Sequence, residues 1–421
     1  MAKKGNIIVG QSGGPTAVIN SSLAGVYKNA VERGFNKVYG MLHGIQGLLD
    51  GQYVDLSTQI HSELDIELLK RTPSAFLGSC RFKLPEIHEN KEIYENIFRI
   101  LDELDIEVFL YIGGNDSMDT IKKLSDYAML FGHNQKFLGV PKTIDNDLAL
   151  TDHTPGFGSA AKYIAASTKE IVRDAEGLTY NKKMITIMEV MGRNAGWLTG
   201  ATALAKTEES EGPDLIYLPE FPFDMDKFVA KVEELLKKKD SIVIAVSEGI
   251  KLADGRYVCE LGVTADYVDV FGHKQLTGTA TYLSGFLAGK FGCKTRAVEF
   301  STLQRSASHM ASRTDIDEAM MVGGAAVKAA DEGYTGQMVV IDRISDDPYM
   351  SATGIYDVHR IANEEKLVPR EWVNKEGNYV TEEFLDYIRP LIQGDYQPIM
   401  VNGLPRHLVL NLGRKRSKKD L

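Results

Sequence analysis

The sequence predicts an α/β fold built on largely parallel sheets, and three observations carry that expectation. Short apolar runs recur that are continuous rather than alternating, as strands buried on both faces should be: "NIIV", "VFLYI", "FLGV", "MITIMEV" and "SIVIAV". Amphipathic segments with helical spacing lie between them. The length, 421 residues, exceeds what one ordinary core holds, so two domains or one very large one are expected.

Taken in order, "NIIV" is the first strand and is followed by "TAVINSSLAGVYKNAVERG", in which Ile19, Leu23, Val26 and Ala30 fall on one helical face. "VFLYI" and "FLGV" are the next two strands, the first leading to a helix expected to begin near Met118. "SAAKYIAASTKEIVRDAEG" aligns Ala161, Ile164, Thr168 and Ile171, and "MITIMEV" comes after it as a further strand. "DKFVAKVEELLKKKD" aligns Phe228, Val232 and Leu235 ahead of the strand "SIVIAV". No short repeat and no low-complexity segment interrupts this alternation.

Composition narrows the function classes. A hydrophobic fraction of 43% and a charged fraction of 25% are those of a soluble globular protein. No apolar run approaches the ~20 residues of a membrane helix, and the start "MAKKGNIIVGQSGG" reads as a first strand rather than a signal peptide. A net charge of −10 argues against general nucleic-acid binding, and the basic tail "GRKRSKKDL" reads as a solvated end. Cys80, Cys259 and Cys293 have no paired spacing for a disulfide framework or zinc site, so a reducing, cytoplasmic setting is expected.

The chemistry lies in the loops that leave the strands, because ligands of doubly wound sheets sit at the carboxyl ends of strands. "GQSGGPT" offers Ser12, Gly13 and Gly14 just before a helix, where backbone N–H groups can approach an anion. It also matches the hydrolase elbow G-x-S-x-G, which fails here because no earlier strand supplies the rest of the oxyanion hole. "GGNDS" places Asn115, Asp116 and Ser117 at a second strand's mouth, either as magnesium and phosphate ligands or as a helix-capping loop. "PKTIDND" brings Lys142, Asp145 and Asp147 together: a point charge for phosphate, a general base and a magnesium-binding acid. "MGRNAG", "SEG" and "CKTRAVEFSTLQRSAS" add Arg193, Glu248, Arg296 and Arg305. The histidines show no ligand spacing, His153 reads as structural, and no Walker A sequence is present. "GFGSA" lacks the glycine spacing of a dinucleotide site.

The set "SGG", "GGNDS", "PKTIDND", "MGR", "SEG", "TRA" and "LQR", in this order over about residues 5 to 315, resembles the phosphofructokinase family. The resemblance implies two Rossmann-like three-layer α/β/α domains with mostly parallel sheets. It places a phosphoryl-donor domain at 1–157 plus about 306–360, and a fructose 6-phosphate domain at 158–305 plus about 361–421 with its C-terminal extension. It implies magnesium-assisted phosphorylation of the 1-hydroxyl of fructose 6-phosphate, at a sugar site completed by a neighbouring subunit of a homodimer or homotetramer. Asp145 then corresponds to the catalytic base, with Asp147 and Lys142 beside it. Gly13, Gly14, Arg81, Asp116, Ser117 and Lys142 correspond to the donor site, and Asn115, Asp116 and Asp147 to the metal site. Thr143, Asp145, Met191, Gly192, Arg193, Glu248, Arg296 and Arg305 correspond to the sugar-phosphate site.

Donor choice is where the motifs depart from the ATP-dependent pattern, "GGDGS" with "PGTIDND". Asp116 and Lys142 replace glycines of that pattern, a pairing similar to the pyrophosphate-dependent branch. A carboxylate there repels and displaces a nucleotide's inner phosphate, and the ammonium neutralises diphosphate. ATP as donor is the alternative, and a non-catalytic phospho-sugar sensor the remote one, because Asn115 stands where the family has a metal-binding aspartate. Thr302 stands where His or Tyr is usual, and Met184 where a neighbour's arginine is expected, with Lys182 or Lys183 as substitutes. The segment beyond about residue 360 is expected to cover the cleft or an interface.

Overall fold

The computed structural model describes residues 4–262 and 278–412 of the chain; the basic tail at 413–421 lies outside the described residues. The strands are β1 (Asn6–Gln11), β2 (Val38–Met41), β3 (Tyr53–Asp55), β4 (Ile106–Gly113), β5 (Lys136–Pro141), β6 (Met184–Val190), β7 (Leu215–Tyr217), β8 (Ser241–Ser247), β9 (Lys294–Glu299), β10 (Gln337–Asp346), β11 (Tyr349–Asp357), β12 (Met400–Val401) and β13 (Leu404–Pro405). They form a seven-stranded sheet of order β11-β10-β5-β4-β1-β2-β3, a four-stranded sheet of order β7-β8-β6-β9, and a short β12-β13 hairpin. The smaller sheet is wholly parallel. In the larger one the edge strands β3 and β11 run antiparallel to their neighbours.

Each expected strand is present, and each is buried along nearly its whole length because helices cover both faces. The helices are α1 (Ile19–Glu32), α2 (Gly44–Leu49), α3 (Glu63–Arg71), α4 (Lys91–Glu103), α5 (Asn115–Phe131), α6 (Phe157–Glu176), α7 (Trp197–Ala201), α8 (Met225–Leu236), α9 (Thr279–Phe291), α10 (Leu303–Ser306), α11 (Arg313–Asp331) and α12 (Glu382–Ile388). Alternate residues of β1 divide between two cores, Ile7 and Val9 joining one with α1 and α11, Ile8 joining the other with α4 and α5. In the same way, Met184, Met188 and Val190 of β6 pack with α6, α7 and α12, while Ile185 and Ile187 pack with α8 and α9. Both sheets are therefore the middle layer of an α/β/α sandwich.

Three differences from the sequence expectation matter. The helix after "SGG" begins at Ile19 rather than beside the glycines, because Thr16 and Val18 form a turn in which the Val18 N–H donates to Thr16 Oγ1 (3.2 Å). The helix after "GGNDS" begins at Asn115, capped by Gly114, rather than near Met118. The C-terminal stretch does not stay with one unit. Val368, Val373, Phe384 and Leu391 pack on the core of the smaller sheet, whereas Leu408 and Leu410 lie against the larger one. Among the described residues no helix is long and apolar enough to cross a membrane.

Candidate active site

Strand register explains why distant motifs meet. Gln11 of β1 pairs with Ile112 of β4, which pairs with Val140 of β5, so all three strands end at one level. Val190 of β6 pairs with Ser247 of β8, and Glu189 with Glu299 of β9, doing the same for the smaller sheet. The loops leaving these carboxyl ends line one cavity of about 470 Å³. From the larger sheet come Ser12, Gly13, Gly14, Arg81, Asn115, Asp116, Ser117, Lys142, Thr143, Asp145 and Asp147; from the smaller come Met191, Arg193, Glu248 and Arg305. This is the ligand position of doubly wound sheets, doubled.

The first loop turns at Gly13, whose φ of 75° is reached without strain by glycine alone. Its N–H donates to Cys80 O (3.1 Å), and Ser79 Oγ donates to Gly13 O (2.6 Å), fixing the loop beside Arg81. Since α1 starts well beyond, no helix N-terminus serves this loop; α5 presents its own N-terminus to the cavity through Asn115, Asp116 and Ser117. Arg305 reaches across from α10: a Cβ placed on Gly14 would lie 3.1 Å from its guanidinium.

Lys142 is the buried centre of the cavity. Its Nζ donates to Gly14 O (2.7 Å), and its N–H donates to Gly113 O (3.0 Å). Burial depresses its ammonium to about 8, against the attraction of Asp145 and Asp147. Burial raises the Asp145 carboxyl, with Lys142 and Arg193 pulling the other way. Asp147 is pushed up to about 7 by burial, then by Asp145 and Glu365. Glu248 is pushed up to about 8 by burial, Asp145 and Glu189. Five acids, Asp116, Asp145, Asp147, Glu248 and Glu365, share this cavity with Lys142, Arg81, Arg193 and Arg305, and burial of Asp145 makes its carboxylate a stronger base than in water.

On the sugar side, Gly192 has a φ of 123°, and a Cβ there would sit 2.4 Å from Ala195 O, so only glycine fits between Met191 and Arg193. Its carbonyl accepts from Ser247 Oγ (2.6 Å), and Met191 N–H donates to Gln304 Oε1 (3.0 Å). Gly192 holds its neighbours in place and does not itself line the cavity.

The remaining expected residues are placed as follows. Arg296 is not among the residues lining this chain's cavity; it pairs with Asp174 at 2.6 Å on the exposed edge strand β9. Asn115 lines the cavity, and its Nδ2 donates to Glu364 O (2.6 Å) while its Oδ1 accepts from Asn363 N–H (2.6 Å). Met184 is wholly buried in the core, and Lys183, at the amino end of β6, donates to Leu236 O. Asp116 and Ser117 do not cap α5 through their side chains. His153 is structural, as expected, lying between Asp152 (2.8 Å) and Glu318 (2.6 Å).

Residues missed by sequence reasoning are Asn194, Asn363 and Glu365, all on the cavity wall. Glu365 Oε1 accepts from Asn194 Nδ2 (2.8 Å), so the C-terminal segment does cover the cleft. The remaining oxygen donors suit a hard cation. Asp116 and Asp147 offer carboxylates, and among the described residues no three His, Cys, Asp or Glu groups form a cage. That is the donor set of magnesium held by one or two carboxylates together with phosphate oxygens.

The fold and cavity define an α/β protein with a polar site, holding a buried lysine and carboxylates, at the carboxyl ends of two largely parallel sheets. Residues 6–301 match the family described as "Phosphofructokinase", and the chain belongs to that family. It is 40% identical over 418 residues to the pyrophosphate–fructose 6-phosphate 1-phosphotransferase of Halomonas elongata, covering 99% of this chain and 98% of the relative. It is 41% identical to the protein of that name from Xanthomonas campestris pv. campestris, with 96% of each covered. The crystal structure of a pyrophosphate-dependent phosphofructokinase from Nitrosospira multiformis superposes with a TM-score of 0.87 at 37% identity, covering 96% of each chain.

Proposed function

We propose that the protein is a pyrophosphate-dependent 6-phosphofructokinase. The observation that carries this reading is the placement of Lys142 inside one cavity with Asp145 and Asp147, with Asp116 at its mouth. The 1-hydroxyl oxygen of fructose 6-phosphate attacks the terminal phosphorus of diphosphate. The bridging P–O bond breaks, phosphate departs, and the hydroxyl proton passes to Asp145. Thr143 Oγ1 accepts from the Asp145 N–H (3.1 Å), so the base's backbone is fixed before substrate arrives. Lys142 and Arg81 spread positive charge over the diphosphate, while Arg193, Glu248 and Arg305 orient the sugar phosphate. Asp116 and Asp147 would hold magnesium, which would neutralise phosphate charge when bound. We read the transfer as reversible.

The division of labour follows the two sheets, the donor on the loops of the larger and the sugar on those of the smaller. Assembly as a homodimer or homotetramer is part of the reading; sedimentation equilibrium reporting a single chain per particle refutes it. A cytoplasmic location fits the cysteines, all free among the described residues. The donor test compares initial rates of fructose 1,6-bisphosphate formation with pyrophosphate and with ATP. Activity with pyrophosphate alone is expected. Activity with ATP alone keeps the family and the base and overturns the donor assignment.

A further inference from the structure

The loop that carries both carboxylates is shaped by residues far away in the chain. Asn146, between Asp145 and Asp147, is wholly buried and left-handed, with a φ of 55°. Such a conformation is uncommon outside glycine and persists where surroundings fix it. Here every polar atom of its side chain is used. Nδ2 donates to Tyr387 Oη (2.9 Å), while Oδ1 accepts from Thr154 N–H (3.1 Å) and Lys366 Nζ (3.2 Å).

Lys366 is the hub of this arrangement. Its ammonium also donates to Asp152 O (2.6 Å) and Thr151 O (3.3 Å), so all three donors have acceptors. Its backbone N–H donates to Asp147 O (2.8 Å), and its carbonyl accepts from Trp197 Nε1 (2.9 Å). The adjoining Glu365 bridges Leu148 in antiparallel fashion. A buried ammonium is costly unless such bonds compensate it, which distinguishes this lysine from a solvated one.

We propose that Lys366 is a positioning residue for phosphoryl transfer: by bonding Asn146, Thr151 and Asp152 it locks the left-handed turn that sets Asp145 and Asp147 in the cavity. The inference rests on the reading of Asp145 as the base. It gives the C-terminal segment a role in the chemistry without contact with the reacting atoms.

The test uses Lys366→Met, which keeps the stem and removes the donors, in the full-length protein. Turnover is expected to fall about a hundredfold, as for a displaced catalytic group, with both Michaelis constants within about threefold of wild type. Amide exchange at 144–148 is expected to accelerate at least about tenfold. Adding Asn146→Gly should restore part of the turnover, since glycine enters the left-handed region without side-chain bonds. Unchanged loop exchange overturns the proposal, as does a fall in turnover that the glycine leaves untouched. Should Lys366→Met fail to fold, Tyr387→Phe removes another bond to the same asparagine and must give the same pattern, smaller in size; normal exchange and turnover in that variant overturn the proposal. Failure of the functional reading is distinguishable, because it appears as wild-type protein inactive with pyrophosphate.

Discussion

Asp145→Asn is expected to lower turnover about a thousandfold, within the range by which a positioned general base accelerates proton transfer. The Michaelis constant for fructose 6-phosphate should stay within about threefold, because Arg193, Glu248 and Arg305 keep their places on the cavity wall. The substitution is nearly isosteric, so packing is undisturbed. Lys142 loses an attractive charge, but Asp147, pushed up to about 7 partly by repulsion from Asp145, ionises more easily, and the burial that raises the Asp145 carboxyl no longer opposes a charge at that position. Thermal stability should therefore hold or rise while turnover collapses, a pairing that unfolding cannot produce. Asp147→Asn provides the contrast. If Asp147 serves the metal, that variant shifts the magnesium concentration needed for half-maximal rate, whereas Asp145→Asn does not. Turnover of Asp145→Asn close to wild type, checked by steady-state kinetics, removes it as the base.

Much of this site was legible because its chemistry sits behind strands whose own signal is strong. "MITIMEV" and "SIVIAV" are buried on both faces, and long apolar runs of that kind have few other uses. The loops behind them therefore had to share one edge, and Lys142, Asp145, Arg193 and Glu248 do meet in a single cavity. Short or mixed strands gave no comparable signal. β2 and β7 hold four and three residues, and β9, "KTRAVE", carries charges because it is an exposed edge. The antiparallel β10-β11 hairpin escaped notice for a similar reason, its outer strand alternating between exposed and half-buried residues.

The segment 363–367, a strap along the cavity wall through Asn363 and Glu365, was illegible for a different reason. "NEEKL" at 363–367 looks like a solvated charged stretch, and its partners lie as many as 249 positions away in the chain. Only tertiary structure brings Asn363 and Glu364 to Asn115, Glu365 to Asn194 and Lys366 to Asn146. The same contacts engage Asn115, which the sequence places at the metal site. Asn115 stands where the family carries an aspartate, and at the first turn of α5 its amide is also well placed to bond a passing backbone.

Lys142→Met is expected to lower kcat/KM for pyrophosphate by about a hundredfold, the scale on which losing one preorganised charge in a dry site is felt. The ammonium is wedged between the donor loop and the carboxylate loop: its Nζ lies 2.7 Å from Gly14 O and would lie 3.3 Å from a Cβ on Gly13. A diphosphate on the Gly13–Gly14 loop must therefore meet it, while a sugar beside Arg193 need not. The Michaelis constant for fructose 6-phosphate should accordingly move far less than that for pyrophosphate, and that split tests the assignment of donor and sugar to separate sheets. Removing Asp116 as well addresses donor choice. In Lys142→Gly with Asp116→Gly, the cavity loses a carboxylate at its mouth and the lysine side chain at its centre, restoring the glycines that nucleotide users carry. Turnover with ATP should rise above the wild-type background while pyrophosphate turnover falls. If Lys142→Met leaves pyrophosphate kinetics untouched, the ammonium does not face the donor, and selectivity must lie with Arg81 or with the strap at Asn363 and Glu365. If only the double variant fails to gain ATP turnover, the lysine account stands, and exclusion of the nucleotide is steric, set by that same strap over the N-terminus of α5.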